Sequence, residues 1–236
     1  MTSLLRKLFA AVGLLAATGG CVWLLLFSPY LRFATLQVVG NSRAPATELR
    51  HLANLPVGVP LVALDLDAAV SGVRRHPWVD QVEARRSFSD TVVLSITERT
   101  VAAVVQLDKL YLVDTSGVIF TRAQAGDLDH PYLTGLDPAL VENQPELSRR
   151  LVIEGLAWLA ALREQGKIVE RDISELRFST TIGYTVVLRN GGEVLLGFAD
   201  RARAARLPLL AAQGLDLSRP HRVDLASDRL AVVTPI

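Results

Sequence analysis

The residues of this chain that could do chemistry occur in short motifs, and none has the surroundings of a catalytic site. Ser116 and Gly117 lack the Gly-x-Ser-x-Gly context that exposes a nucleophilic serine. The glycine-rich Asn190-Gly191-Gly192 precedes a predicted strand, not a helix, so we expect a hairpin turn there and not a phosphate-binding loop. Capping and solvation explain two acidic pairs, Asp65 with Asp67 and Asp127 with Asp129. We therefore predict that the protein is not an enzyme.

Histidine and cysteine are too scattered to build a metal centre. The one cysteine, Cys21, lies inside an apolar segment, and no two of the four histidines are spaced i, i+4. We predict neither metal nor cofactor, and we expect His76, before Pro77, at a surface or in a turn. A formal net charge of +1 argues against a nucleic-acid partner, because that would need a dense basic surface.

The element that would position the rest of the chain is a membrane anchor. Leu8 to Phe27 carries no charged residue, and a helix of that length spans about 30 Å, the thickness of a bilayer core. Arg6 and Lys7 precede it, which places the N-terminus in the cytoplasm. We predict a cytoplasmic tail over residues 1–7, a transmembrane helix over 8–27, and a remainder that folds outside the cytoplasm.

Two other interpretations of this segment remain open. A cleaved signal peptide should have a shorter apolar region that ends at small residues, whereas here the apolar run continues to Phe27. A lipoprotein is suggested by Thr18-Gly19-Gly20-Cys21, but Thr18 stands where an aliphatic residue is usual and no polar sequence follows Cys21. The simplest interpretation of Cys21 is a small apolar residue in a membrane helix.

Residues 32–99 have the pattern of a small α/β unit, in the order strand, helix, helix, strand, strand. Two helices can cover one face of a three-stranded sheet, and we expect Trp78 to anchor that core. The predicted elements are Phe33–Val39, a helix with Pro45 at its first position, a helix from the cap Asp65 through Arg75, a strand from His76 through Arg86, and Thr91–Glu98.

Residues 100–236 predict a mostly antiparallel sheet with helices on one side, which makes the fold class α+β. Short strands are expected at 101–107, 110–113, 118–121, 173–179, 184–189, 193–197, 221–225 and 229–234. A loop through Gly135 and Pro138 leads to a long helix that starts at Pro145 and ends at Gly166, with Trp158 in the core. Asp200 should cap a last helix that Pro208 kinks and Gly214 ends.

The order of elements and several short motifs resemble a POTRA domain and, with the preceding membrane helix, the FtsQ/DivIB family of bacterial cell-division proteins. The carrying motifs are Val38-Val39-Gly40-Asn41, Leu64-Asp65-Leu66, Pro77-Trp78-Val79, Ser95-Ile96-Thr97-Glu98-Arg99, Asn190-Gly191-Gly192, Leu196-Gly197 and Val223-Asp224-Leu225. The chain departs from the family pattern at Phe88-Ser89-Asp90-Thr91-Val92 and at Glu98-Arg99-Thr100-Val101-Ala102, where two family prolines are missing.

The resemblance implies a non-enzymatic scaffold of the division machinery at the septum. Its partners would be small single-pass, coiled-coil proteins of the FtsB and FtsL kind, with other division proteins at the POTRA domain. It would be a single-pass, type II protein of the inner (plasma) membrane with periplasmic domains. Family members bind through the C-terminal sheet edge, which here corresponds to Leu225, Ala226, Ser227, Arg229, Ala231, Val232 and Val233. Ala226 and Ser227 stand where the family often has arginine and an aromatic residue.

Three other functions remain open. A POTRA-bearing, membrane-anchored component of an envelope transport or secretion complex would usually carry a β-barrel, for which residues 100–236 are too few and too interrupted by helices. An anchored hydrolase would need a pocket with convergent polar groups. A membrane-tethered adaptor for an unrelated complex would share the same architecture.

Overall fold

The computed structural model describes the backbone of residues 2–27, 31–88, 90–166, 172–198, 201–227 and 231–236. It describes the side chains of all these residues except 2–8, 22, 24–27 and 201. Contacts divide the chain into two units, Met1–Arg99 and Thr100–Ile236. The predicted loop position Ser89, the cap Asp200 and the start of the last predicted strand lie outside the described residues.

The chain begins with helix α1, Thr2–Phe27, which contains the predicted membrane segment. Apolar side chains on it are exposed, among them Phe9 at 72% and Leu15 at 72%. Within the described residues, no helix combines the length and the apolar composition needed to cross a membrane.

The rest of the first unit is the predicted order of strand, helix, helix, strand and strand. Strand β3 lies between β1, which runs parallel to it, and β2, which runs antiparallel. Both helices pack on one face of this sheet, as predicted, and share a buried cluster with it. The elements are β1 Thr35–Val39, α2 Ala46–Ala53, α3 Leu66–Val73, β2 Val79–Ser87 and β3 Thr91–Glu98, with a 3-10 turn at Leu61–Ala63.

The helix caps confirm one prediction and correct another. The Asp65 side chain accepts a hydrogen bond from the Ala68 N–H at 2.9 Å, as its predicted role as a cap requires. Pro45 was expected at the first helical position, but it is the cap, with an extended ψ of 128°. Its carbonyl accepts the first helical bonds, from Glu48 and Leu49, and it needs no N–H to do so.

His76 differs from the sequence-based expectation. It lies in the turn before β2, but it is only 8% exposed, so the surface half of the prediction is wrong. The turn folds the ring back toward α2, where its Nε2 lies 3.3 Å from Glu48 Oε2. Trp78 is half-buried against the same core and stacks beneath the Arg43 guanidinium, 4.9 Å from the ring centroid.

The second unit is a nine-stranded mixed sheet whose helices pack on one face. Five of its eight strand pairings are antiparallel, so the prediction of a mostly antiparallel sheet is confirmed for the described residues. The strands, in spatial order, are β12 Val232–Pro235, β11 His221–Asp224, β10 Glu193–Gly197, β9 Gly183–Leu188, β8 Ile173–Ser179, β7 Tyr132–Thr134, β4 Val101–Gln106, β5 Leu110–Asp114 and β6 Ile119–Arg122.

The helices of this unit are α4 Pro138–Asn143, α5 Pro145–Glu164 and α6 Arg206–Ala212, the last preceded by a 3-10 segment at Arg201–Ala205. Pro145 begins α5 and Gly166, at φ +65°, follows its end, as predicted. Pro208 stands in the first turn of α6, where its missing N–H costs no helical bond, and the predicted kink stays a prediction. Trp158 is fully buried, as predicted.

Strand β7 differs from the sequence-based prediction, which has a loop at these residues. Tyr132–Thr134 lies in the middle of the sheet and pairs in parallel with both β4 and β8. Gly135 follows at φ +83°, and a Cβ there would come within 2.0 Å of the Phe178 carbonyl oxygen. This glycine therefore lets the chain leave the sheet in contact with β8.

We predict that Gly135→Ala lowers the unfolding free energy by at least about 3 kcal/mol, because a left-handed backbone and a backbone clash add together. Gly191→Ala tests the left-handed backbone without the clash. Its φ is +87° with no atom near the added Cβ, so we expect a loss of about 1 kcal/mol of unfolding free energy. Gly126→Ala, which meets neither constraint, is the control. Urea unfolding followed by tryptophan fluorescence measures all three. Equal midpoints for Gly135→Ala and Gly191→Ala would contradict the clash.

In the first unit, one carboxylate ties the β1–α2 loop to the end of β3. Glu98 accepts hydrogen bonds from the backbone N–H groups of Ser42, Arg43 and Ala44, at 2.8 to 3.0 Å. Burial by itself would raise the pKa of Glu98, but these bonds from Ala44, Arg43 and Ser42 outweigh it and hold the pKa below its ordinary value of 4.5.

We predict that Glu98→Gln lowers the protection of these three amides against hydrogen exchange at neutral pH by about 1–3 kcal/mol. A depressed carboxyl pKa stabilises the fold fully above 4.5 and loses that effect as pH falls through the folded value. The wild-type protection should therefore fall toward that of Glu98→Gln in acid. Glu83→Gln, on the exposed part of β2, is the control, and a difference that persists in acid would contradict the mechanism.

Candidate partner-binding edge

The side chains considered as catalytic candidates form hydrogen bonds or turns with residues close to them in sequence. Ser116 donates from its hydroxyl to Asp114 Oδ1 at 2.7 Å, in the turn between β5 and β6. Asp127 is buried and accepts from the Gln124 N–H at 3.0 Å. Asn190-Gly191-Gly192 forms the predicted hairpin turn between β9 and β10. In the described part of the chain, no group of three histidine, cysteine or acidic residues is placed to hold a metal ion.

The predicted binding residues lie at one edge of the nine-stranded sheet, on both sides of the connection from β11 to β12. Strand β12 pairs only with β11 among the described strands, and all four of its residues are exposed. Val232 is 57% exposed and Val233 is 40% exposed, whereas Ala231 is half-buried against the core. Arg229 lies outside the described residues.

The residues before the connection run from the core to the surface. Leu225 is fully buried, and its N–H donates to the Leu195 carbonyl at 2.8 Å, so its side chain supports the edge from within the core. The Ala226 N–H donates to Asp224 Oδ1 at 2.8 Å. Ser227 is exposed, and its carbonyl accepts from Arg206 Nη1. The structure thus brings Ala231, Val232 and Val233 to the surface together and keeps Leu225 beneath it.

The hydrogen-bonding register of β12 decides which backbone groups its free side offers. The Ile236 N–H donates to the carbonyl of the opposite residue, Pro220, at 3.3 Å. In an antiparallel pair, hydrogen-bonded and non-bonded positions alternate, so the backbone N–H and carbonyl groups of Val232 and Thr234 also point toward β11. The backbone groups of Val233 and Pro235 point away from β11. The free edge therefore offers the Val233 N–H and carbonyl, and only a carbonyl at Pro235.

Val233 also ends an apolar row that crosses the sheet. Each member of the row lies opposite the next on the neighbouring strand, and all but the last are at most 4% exposed. The row consists of Val105, Leu133, Leu176, Val186, Val194, Val223 and Val233. The described part of the sheet thus ends on a half-exposed valine whose outward backbone groups meet no described partner, which is the arrangement that strand addition uses. Sequence reasoning named Val233 but not this register, because the register depends on pairing with β11.

A three-stranded unit with the order strand, helix, helix, strand, strand, followed by a nine-stranded mixed sheet, defines the class of protein by its fold: a two-unit α+β protein. Two family models match the chain: "POTRA domain, FtsQ-type" over residues 31–99, and "Cell division protein FtsQ/DivIB, C-terminal" over residues 103–226. The chain belongs to the FtsQ/DivIB family of cell-division proteins. The second match ends two residues after β11, so β12 lies beyond it.

Curated relatives agree with this assignment. A cell division protein FtsQ from Anaeromyxobacter sp. (strain K) is 37% identical over 192 residues, which cover 79% of this chain and 65% of the relative. Proteins with the same name from Syntrophotalea carbinolica and Streptomyces coelicolor are 33% and 31% identical and are covered to 69% and 76% of their length. The chain therefore spans about two thirds of the length of the first relative.

We predict that Asp224→Ala loosens the connection after β11, because it removes the acceptor of the Ala226 N–H. A net hydrogen bond of about 1 kcal/mol corresponds to roughly fivefold faster hydrogen exchange at the Ala226 amide. Asp224→Asn keeps an oxygen at the same place and should retain most of the protection. If the two variants exchange alike, the side chain does not hold this turn.

Proposed function

We propose that the chain is a non-enzymatic scaffold of the division machinery that holds small single-pass, coiled-coil partners of the FtsB and FtsL kind. Membership of the FtsQ/DivIB family supports the division role. The observation that carries the binding mode is the edge of β12, where the N–H and carbonyl of the half-exposed Val233 have no partner among the described residues. Other division proteins would bind at the POTRA unit.

The partner strand is expected to pair with β12 around Val233, where the edge offers both a donor and an acceptor. Toward Pro235 the edge offers no donor, so bonding should extend from Val233 in the direction of Ala231. A partner residue opposite Val233 would continue the apolar row and should itself be apolar. Of the predicted contact residues, Ala231, Val232, Val233 and Ser227 present surface to a partner, Ala226 and Leu225 support the connection, and Arg229 stays a prediction.

The proposed location is the inner (plasma) membrane at the septum, with a single-pass type II orientation. The uncharged segment from Leu8 to Phe27, which lies within α1, would be the anchor, and Arg6 and Lys7 would keep the N-terminus in the cytoplasm. Both units after the anchor would then lie in the periplasm, where single-pass partners can reach the β12 edge.

We predict that Val233→Pro weakens capture of the coiled-coil partner by at least about tenfold, because the ring removes the one outward N–H within β12 (Val232–Pro235) and blocks close approach. The fold should persist, since Pro235 already occupies an equivalent outward position of β12. Val233→Ala is the matched control: it keeps the N–H and should lose less than about threefold. Affinity purification of the full chain from native membranes, with quantification of the partners that copurify, measures the effect.

A deletion of Arg229–Ile236 should abolish capture altogether. Partner binding that survives both this deletion and Val233→Pro would show that the edge is not the binding site. Fluorescent fusions test the division role separately: the wild type should form a midcell band, and a diffuse envelope signal would contradict a septal function whatever the binding mode.

A further inference from the structure

One end of the POTRA unit carries a small group of unusually exposed apolar side chains. Phe88 is 92% exposed, Val57 is 74% exposed and Val62 is 59% exposed. Within the described residues of 31–99, the other exposed large apolar residue is Val39, at 38%. Val57, Val62 and Phe88 form the apolar tip of this unit. Scattered exposed valines are ordinary, but three such residues at one end of so small a unit are not.

Backbone hydrogen bonds gather the apolar tip around the start of β1. The Gly58 N–H donates to the Phe33 carbonyl at 2.8 Å, and the Phe33 N–H donates to the Val59 carbonyl at 2.9 Å. These bonds fix the loop that carries Val57 and Val62 beside the residues that lead into β1. The loop is fastened a second time, because Arg86 Nε donates to the Leu61 carbonyl at 2.8 Å.

The hairpin tip between β2 and β3 meets the same end of the sheet. The Ala34 N–H donates to the Asp90 carbonyl at 2.9 Å, and Thr35 pairs with Thr91. Phe88 directly follows the last residue of β2, whose partner is also Thr91. All three residues of the apolar tip therefore lie where the chain arrives from α1.

The chain itself limits how far this end can lie from α1. Helix α1 ends at Phe27, and the first described residue after it is Leu31. Four residue steps span at most about 14 Å, whatever their conformation. If α1 is anchored in a bilayer, the end of the POTRA unit that bears the apolar tip cannot leave the neighbourhood of the lipid headgroups.

We propose that the apolar tip rests in the interfacial region of the phospholipid bilayer that holds α1. This inference depends on the proposed membrane anchor. The occupant is a lipid surface because the tether keeps one permanently within reach, and because apolar side chains flanked by polar backbone suit the boundary between headgroups and acyl chains. The contact would hold the POTRA unit in a defined orientation on the membrane.

Charge does not drive this contact. Charges of both signs accompany the apolar tip: Arg32 and Arg86 donate to the carbonyls of Gly58 and Leu61, and Asp65 and Asp90 are the acids at the start of α3 and in the β2–β3 turn. Asp65 already accepts from the Ala68 N–H, and Asp90 accepts from the Thr91 hydroxyl at 2.9 Å. Insertion is therefore expected to depend on apolar burial and to change little with salt concentration.

The test places an environment-sensitive fluorophore at single cysteines of the full chain in vesicles of phosphatidylethanolamine and phosphatidylglycerol. The native cysteine, Cys21, reports whether α1 is in the bilayer. Phe88→Cys and Thr97→Cys, each combined with Cys21→Ala, label the apolar tip and an exposed position near the opposite end of β3. Phosphatidylcholine with a nitroxide on its acyl chain near the glycerol quenches any label that reaches the interface, and a nitroxide farther along the acyl chain quenches a label at Cys21, about 9 Å inside the end of the predicted span.

We expect quenching several-fold stronger at position 88 than at position 97, with a blue-shifted emission at 88, in both low and high salt. Adding Val57→Asp and Val62→Asp to the Phe88→Cys variant should reduce the quenching at 88. Equal quenching at 88 and 97, with Cys21 quenched, would overturn the lipid contact and leave the anchor intact. An unquenched Cys21 would overturn the anchor itself. A blue-shifted emission at position 88 that appears only when another protein is added would overturn the lipid contact in favour of a protein partner.

Discussion

The nine-stranded sheet depends on the parallel pairing of a three-residue strand, Tyr132–Thr134, with a neighbour on each side. Strands β4 to β6 form one antiparallel group and β8 to β10 another, and among the described strands only β7 joins them. Leu133, 4% exposed, carries the apolar row from one group to the other. Gly135 is required directly after it, because the chain must turn away within van der Waals distance of the Phe178 carbonyl. The continuity of the sheet, and hence the support of its β12 edge, rests on this short segment.

The sequence predicted the POTRA unit well and the centre of the large sheet poorly, and the difference is physical. In the first unit, period-two strands and capped helices are long enough to show their pattern, and Asp65 caps where its position indicates. Strand β7 has three residues between His130-Pro131 and Gly135, so it is too short to show any alternation. It is a strand because β4 and β8 supply partners that are distant along the chain, and single-sequence patterns do not contain such pairings.

The candidate edge was predictable in part. A resemblance to family motifs directed attention to the stretch from Leu225 to Val233, and two of those residues, Val232 and Val233, are exposed together at the edge. What could not be predicted is the role of each residue. Leu225 is buried because its side chain joins the core, which follows from the parallel pairing of β10 with β11. The outward direction of Val233 follows from the pairing of β11 with β12, in which a shift of one residue would reverse it.

An open edge that can accept a partner strand can also accept a second copy of itself, and exposed valines make this hazard greater. The described part of β12 bears no charged residue, so charge does not protect it. Pro235 disfavours pairing between two copies of β12 through its backbone. If two β12 strands paired antiparallel through opposed Val233 residues, each Pro235 would leave one position without a donor, because the proline has no N–H. A different strand that pairs from Val233 toward Ala231 does not meet this defect. The backbone of β12 thus disfavours self-association and leaves one direction open to a partner, even though the side chains at Ala226 and Ser227 are small.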